Sequence, residues 1–201
     1  MGLVSGAASF VRFSVEGQLP DSFWEFAAER IAAHSFHDID DTLDEYSIGW
    51  VSVMNMFDAD FAYGSYAAGD YVVLAMRVDE RKVSPSVLKK YVLKEEERVK
   101  AERQVSRLSR NARLEIKERI RTQLVRKSVP VPAVYDLCWN LSDGTVLFFS
   151  TNKKAMVLLE ELFKETFGLS LILQVPWLTA GHLIDNETGS RMDSLRPAVL
   201  V

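Results

Sequence analysis

Cysteine is almost missing from this chain: Cys138 stands alone among 201 residues. A single thiol cannot close an internal disulfide, which excludes a disulfide-built secreted scaffold and points to a reducing compartment. Cys138 sits in Leu137-Cys138-Trp139 with no adjoining cation, so it reads as a small core residue and not a reactive thiol. Long apolar runs are missing too, and no stretch is long enough to span a bilayer. Met1 to Ser9 lacks the basic flank of a secretory signal. These absences predict a soluble, cytoplasmic protein. No G-x-S-x-G, Walker or dinucleotide-binding loop occurs, and no solenoid-type repeat.

What is present is ordinary globular composition, with 48% hydrophobic and 26% charged residues. The length suits one large domain or one domain with an appendage. Net charge is −4, which at first argues against nucleic acid, but the charge is unevenly placed. Arg77 to Lys127 holds 17 Lys and Arg against 8 Asp and Glu, a local +9, while the rest holds 7 against 20, a local −13. A polyanion responds to the local field.

Ser9 to Val15 alternates apolar and polar positions and predicts a strand. Asp21 is the expected N-cap of a helix over 22–33. His37 to Glu45 is an acidic loop. Gly49-Trp50-Val51 reads as the start of an extended stretch, and Met54 to Tyr66 as loop plus strand. Asp70 to Val78 is the clearest strand. Ser84 and Pro85 open a helical region that runs to about Lys127, with Ser109 placed to cap a second helix. Neither half could bury its apolar positions alone, so the region predicts a helical hairpin. Pro130 and Pro132 end it. Two strands follow, Val134 to Trp139 and Thr145 to Ser150, around an Asp143-Gly144 turn. A helix over 152–167 stops at Gly168, and a last strand spans Leu169 to Val175. The order predicts an α+β fold: a mixed or antiparallel sheet body with flanking helices (1–84 plus 129–180), an inserted helical hairpin (85–128) and a tail (181–201).

The chemistry is concentrated in the second half of the hairpin. Arg110, Arg113, Lys117 and Arg121 recur every three or four residues and share one helical face. Ala112, Ile116, Ile120 and Leu124 lie on another, the face that should pack. Arg103 and Arg107 continue the basic row if the helix does not break before them, and Arg126 and Lys127 add charge at its end. Such a row suits the phosphates of DNA, because each neutralised phosphate releases condensed counterions. The competing reading is a solvated helix face. Glu at four-residue spacing would compensate such a face, and this row lacks it. No zinc finger, Arg-rich ribbon or helix-turn-helix glycine turn signals base reading.

These residues resemble a known family. Gly49-Trp50-Val51 is similar to the G-W-V found early in RdgC proteins. Asp70 to Pro85 resembles their strand ending in A-R-x-E-E-K before a P-S-x-V helix, which reads Pro85-Ser86-Val87 here. Leu108 to Leu124 resembles the second helix of their tip region. Asp136 to Phe149, followed by Ser150-Thr151-Asn152-Lys153-Lys154-Ala155, resembles their D-x-x-x-G…S-x-K-K-A element, and Leu169 to Pro176 the strand after it. The resemblance implies a central body with a helical tip and a homodimer that can close around duplex DNA with little sequence preference. It implies a nucleoid-associated role in recombination and replication, including restraint of a RecA-type recombinase. Two departures stand out. The resemblance leaves the family's C-terminal base domain, which supplies one of two dimer contacts, expected to be missing after Pro176. The apolar finger of the family's tip, L-P-R-x-F, is here Leu124-Val125-Arg126-Lys127-Ser128, which keeps the charge and lacks the aromatic.

Other candidates are weaker. His34 and His37 with Asp38, Asp40 and Asp41 lack a second pair at diagnostic metal spacing. The same loop with Asp44 and Glu45 could make a two-metal nuclease cluster only with a supporting strand. Trp24, Trp50, Trp139 and Trp177 read as core or interface more readily than as base-stacking platforms. The leading expectation is therefore a non-enzymatic DNA-binding protein without cofactor or metal. It uses Arg103, Arg107, Arg110, Arg113, Lys117, Arg121, Arg126 and Lys127. The alternatives are a protein-interaction adaptor docking through the apolar row around Ile116 and Ile120, and a metal-dependent nuclease.

Overall fold

A computed structural model describes residues 2–3, 9–176, 180 and 188. Apart from residue 188, the tail over 181–201 lies outside the described residues, as does Trp177.

The chain runs β1 (Val11–Glu16), α1 (Phe23–Ala33), β2 (Tyr46–Val51), β3 (Ala67–Ala68) and β4 (Tyr71–Arg81). It continues α2 (Pro85–Arg103), α3 (Arg110–Lys127), β5 (Pro130–Asn140), β6 (Thr145–Phe148), α4 (Lys153–Phe167) and β7 (Ser170–Leu173). The strands form one sheet in the order β2-β4-β5-β6-β1-β7, with β3 paired to β4. Every ladder between these strands is antiparallel. The fold is α+β, with the hairpin of α2 and α3 inserted between the two longest strands.

The two-residue period of the strand backbone sends Val72, Leu74, Met76, Leu137 and Trp139 of β4 and β5 to one sheet face, where they are buried with Phe13, Val146 and Phe148. Helices α1 and α4 cover this face with Phe23, Ala27 and Ile31, and with Ala155, Leu159, Leu162, Phe163 and Phe167. The Trp139 ring lies 5.0 Å from Phe163, 5.2 Å from Phe167 and 5.3 Å from Phe23, all edge-on. Its Nε1 is buried without an acceptor among the described residues. Trp50 differs: its Nε1 donates to Thr166 Oγ1 at 2.8 Å, which ties β2 to α4. Gly49 lets the chain approach that closely, since a Cβ there would stand 2.6 Å from the Phe36 nitrogen.

Several expectations need correction. Gly49-Trp50-Val51 ends β2; it does not begin a strand. Asp21 is not the cap of α1: Ser22 holds that place and makes no side-chain cap bond. Residues 54–66 form turns around one 3-10 turn (Ala62–Gly64), and pairing resumes only at Ala67. Pro130 and Pro132 do not precede β5; they belong to it, paired with Arg81 and Asp79. The Asp136 carbonyl accepts from Phe149 N, so alternate residues of β5 turn their polar backbone away from β4. The prolines share that parity, and β6 pairs only from Leu137 onward, so their missing N–H groups break no ladder bond.

At the end of β4, Arg81 is buried and meets no carboxylate within ion-pair distance among the described residues. Its guanidinium donates to five carbonyls: Asp44 at 2.9 Å, Ile39 at 2.7 Å, Thr42 at 3.1 Å, Asp40 at 3.2 Å, and Ser128. One side chain thus pins the acidic loop and the end of α3 to the sheet. Arg81→Met should lower stability by about 3 kcal/mol in urea unfolding, because five acceptors lose their donor at once. A loss below about 0.5 kcal/mol would mean that water replaces it.

Candidate nucleic-acid interface

The hairpin is built by its caps. Ser84 Oγ accepts from Val87 N and Ser109 Oγ from Ala112 N, each satisfying an orphan donor at a helix start. Between the helices, Gln104 takes a left-handed conformation (φ 52°) that turns the chain. Val99, Leu108, Ile116 and Ile120 then bury against one another, flanked by Leu88, Val92, Ala112 and Leu124. The apolar row around Ile116 and Ile120 is therefore consumed inside the hairpin, which removes it as a docking surface for an adaptor.

That packing turns the other face of α3 outward. Arg103, Arg107, Arg110, Arg113, Lys117, Arg121, Arg126 and Lys127 are all exposed. Among the described residues, only Arg121 of these eight makes an ion pair, to Glu118 at 4.0 Å. So long and exposed a pair adds little. The structure does not bring the eight together as one site. Arg107, Arg110, Arg113 and Lys117 line a groove of about 530 Å³ with Val92, Glu96, Leu108 and Leu114. Arg121 continues the same face toward the root, where it borders a cleft with Glu45 and Glu80. The helix breaks at Gln104, so Arg103 faces Glu115 and Arg119 instead. Lys127 borders a separate groove at the root.

Three other cations of the arm, Arg98, Lys100 and Arg119, are spent on glutamates. Glu95 accepts from Arg98 at 2.7 and 2.8 Å and also from Arg119 across the hairpin; Arg98 reaches Glu102 as well. The Arg98 hydrogen bonds hold the Glu95 carboxyl below its usual range. Lys100 pairs with Glu97 at 2.8 Å. Two further cations counted in the basic segment never reach its surface. Arg81 serves the carbonyls described above, and Arg77 makes a buried two-pronged bond to Asp79 at 2.8 and 2.6 Å. Arg77 also lies 4.2 Å from the Phe36 ring centre. Its bonds to Asp79 hold the guanidinium protonated. Val92 and Glu96 escaped sequence reasoning, because they come from α2 while the basic row comes mainly from α3.

The stretch Leu124-Val125-Arg126-Lys127-Ser128 is not at the tip. Val125 is buried at the root, and the Ser128 carbonyl is one of Arg81's acceptors. The tip is the Gln104–Ser109 turn. The acidic loop makes local hydrogen bonds: Asp38 Oδ1 accepts from Asp40 N at 2.7 Å, and Asp44 Oδ2 from the Thr42 hydroxyl at 3.0 Å. Asp38 also lies 3.8 Å from Arg77. His34 Nδ1 faces the Arg30 carbonyl at 2.9 Å. Among the described residues no group of three His, Cys, Asp or Glu is placed to hold a metal ion. No described helix is long and apolar enough to cross a membrane. Trp50 and Trp139 lie in the core, while Trp24 is partly exposed beside Tyr66.

An antiparallel sheet backed by two helices, with a basic helical hairpin between its longest strands, defines an α+β protein with a projecting cationic arm. The family model described as "Putative exonuclease, RdgC" matches residues 13–175. The chain belongs to the RdgC family, and membership carries a recombination-related role. No curated protein matches the chain.

Cys138 is half-buried on β5, and burial pushes its thiol up. Little thiolate is then present at neutral pH. Alkylation by iodoacetamide at pH 7.5 should run slower in the folded protein than in urea. Equal rates would contradict that burial.

Proposed function

We propose that this chain binds DNA through backbone phosphates, with little sequence preference, and acts by binding and not by cleavage. The binding element is the outward face of α3, with Arg110, Arg113, Lys117 and Arg121 at its centre and Arg107 beside it at the tip. One observation carries this reading: a row of exposed cations with almost no carboxylate partners among the described residues, on an arm where glutamates neutralise Arg98, Lys100 and Arg119. From Arg110 to Arg121 the row extends about 16 Å along the helix axis. A strand of duplex DNA places its charges about 3.4 Å apart along its axis, so the row can meet several phosphates. Nothing on this face is shaped to read bases, which fits positioning on phosphates over sequence readout. The resemblance to the family adds a homodimer, a nucleoid location and a RecA-type recombinase as partner; these stand with the same proposal.

Titration of a fluorescent duplex at several salt concentrations tests it. Affinity should fall steeply with salt, with a slope of about −0.9 per phosphate engaged. Changing Arg113, Lys117 and Arg121 together to Ala should flatten that slope by about 3, one unit for each lost phosphate contact. Changing Arg98 and Arg119 to Ala should alter it much less, because Glu95 already holds both. Unchanged binding in the triple variant removes the mechanism.

A further inference from the structure

A second groove lies at the root of the hairpin, away from the four cations that converge near its tip. It has a volume of about 420 Å³ and runs between the start of α2 and the end of α3. Its floor is apolar: Val83, Val87 and Tyr91 from the α2 side, Leu124 from α3. Val87 and Tyr91 are 42% and 41% exposed, one helical turn apart, and thus present one continuous surface. Lys82 and Lys127 stand at its border, and the Lys90 ammonium lies 5.8 Å from the Tyr91 ring centre. Among the described residues Lys90 and Lys127 have no carboxylate partner, while Lys82 is 2.9 Å from Glu80.

This surface is not built for a nucleic-acid backbone. Phosphates gain nothing from Val87, Tyr91 and Leu124, and an exposed tyrosine beside aliphatic side chains is the kind of centre around which protein interfaces form. The flanking charge selects the partner. A basic or neutral segment would bring apolar anchors against three unopposed or partly opposed ammonium groups, whereas an acidic segment would meet them favourably. We infer that the root groove of the hairpin docks a short acidic peptide segment of another protein, which seats an aromatic or branched aliphatic side chain against Tyr91, Val87 and Leu124 and sets its carboxylates on Lys82, Lys90 and Lys127. The arm then carries two surfaces, and the inference does not depend on the nucleic-acid reading of the other.

The test is fluorescence anisotropy with the full chain and a fluorescein-labelled ten-residue peptide, a Phe-Leu pair set among aspartates. Saturable binding is expected. Replacing Phe-Leu by Ser-Ser, or Asp by Lys, should weaken it at least tenfold. Tyr91→Ser and Val87→Ser should do the same while leaving duplex titration unchanged. Lys127→Glu, an exposed change at a helix end, should weaken the peptide too; it keeps the test decisive if circular dichroism shows that Tyr91→Ser loosens the hairpin. Arg113→Ala with Lys117→Ala should leave peptide affinity in place. Three results overturn the inference: absence of saturation, full affinity in both Tyr91→Ser and Lys127→Glu, or loss of the peptide in the Arg113–Lys117 variant, which would place it in the tip groove.

Discussion

Arg81 holds this architecture together at the point where the arm leaves the body. A buried guanidinium is expensive to desolvate unless its donors are met. Here they are met by backbone carbonyls from two directions, the 39–44 loop and Ser128, the residue that follows α3. The Ser128 carbonyl stands at a helix C-terminus, where unpaired carbonyls carry partial negative charge and welcome a cation. The same residue ends β4, pairs with Pro130 of β5 and immediately precedes the chain's departure into α2. The hairpin is thereby fixed to the two longest strands, although its apolar core is its own.

This arrangement explains why the acidic loop lies where it does. Its value to the fold is in its carbonyls, which Arg81 gathers, while Asp38 accepts from the Asp40 N–H and faces Arg77, and Asp44 accepts from the Thr42 hydroxyl. Among the described residues these carboxylates do not gather into a group of three placed to hold a metal ion. The negative charge of the body and the positive charge of the arm are thus segregated by structure. Charge pairing within the arm, centred on Glu95, removes some cations from play and leaves the α3 row outstanding.

Much of this was legible in the residues. Ser84-Pro85 and Ser109 marked both helix starts, because a hydroxyl that accepts from an N–H three residues on is a local event. The β-branched, apolar run in residues 70–78, the Asp143-Gly144 turn and Gly168 were likewise local. The less legible elements depended on partners far along the chain. Gly49 is required by Phe36, Pro130 and Pro132 are tolerated because β6 is short, and residues 54–66 are shaped in part by the Arg77 contact to the Met56 carbonyl. The basic row showed in the 3.6-residue period, but its division into a tip groove, an isolated Arg103 and a root Lys127 did not, since that follows from where α2 lies beside α3.

By itself the sequence determined the element types, the hairpin and the face on which the α3 cations stand, because caps, turns and periodicity act over a few residues. It also carried the family. The tertiary structure alone decided which cations stay free. Arg77 and Arg81 look like surface charge in a linear count, and Arg119 looks as available as Arg113. Only folding brings Asp79, the loop carbonyls and Glu95 to them, because a charge is neutralised by what lies near it in space.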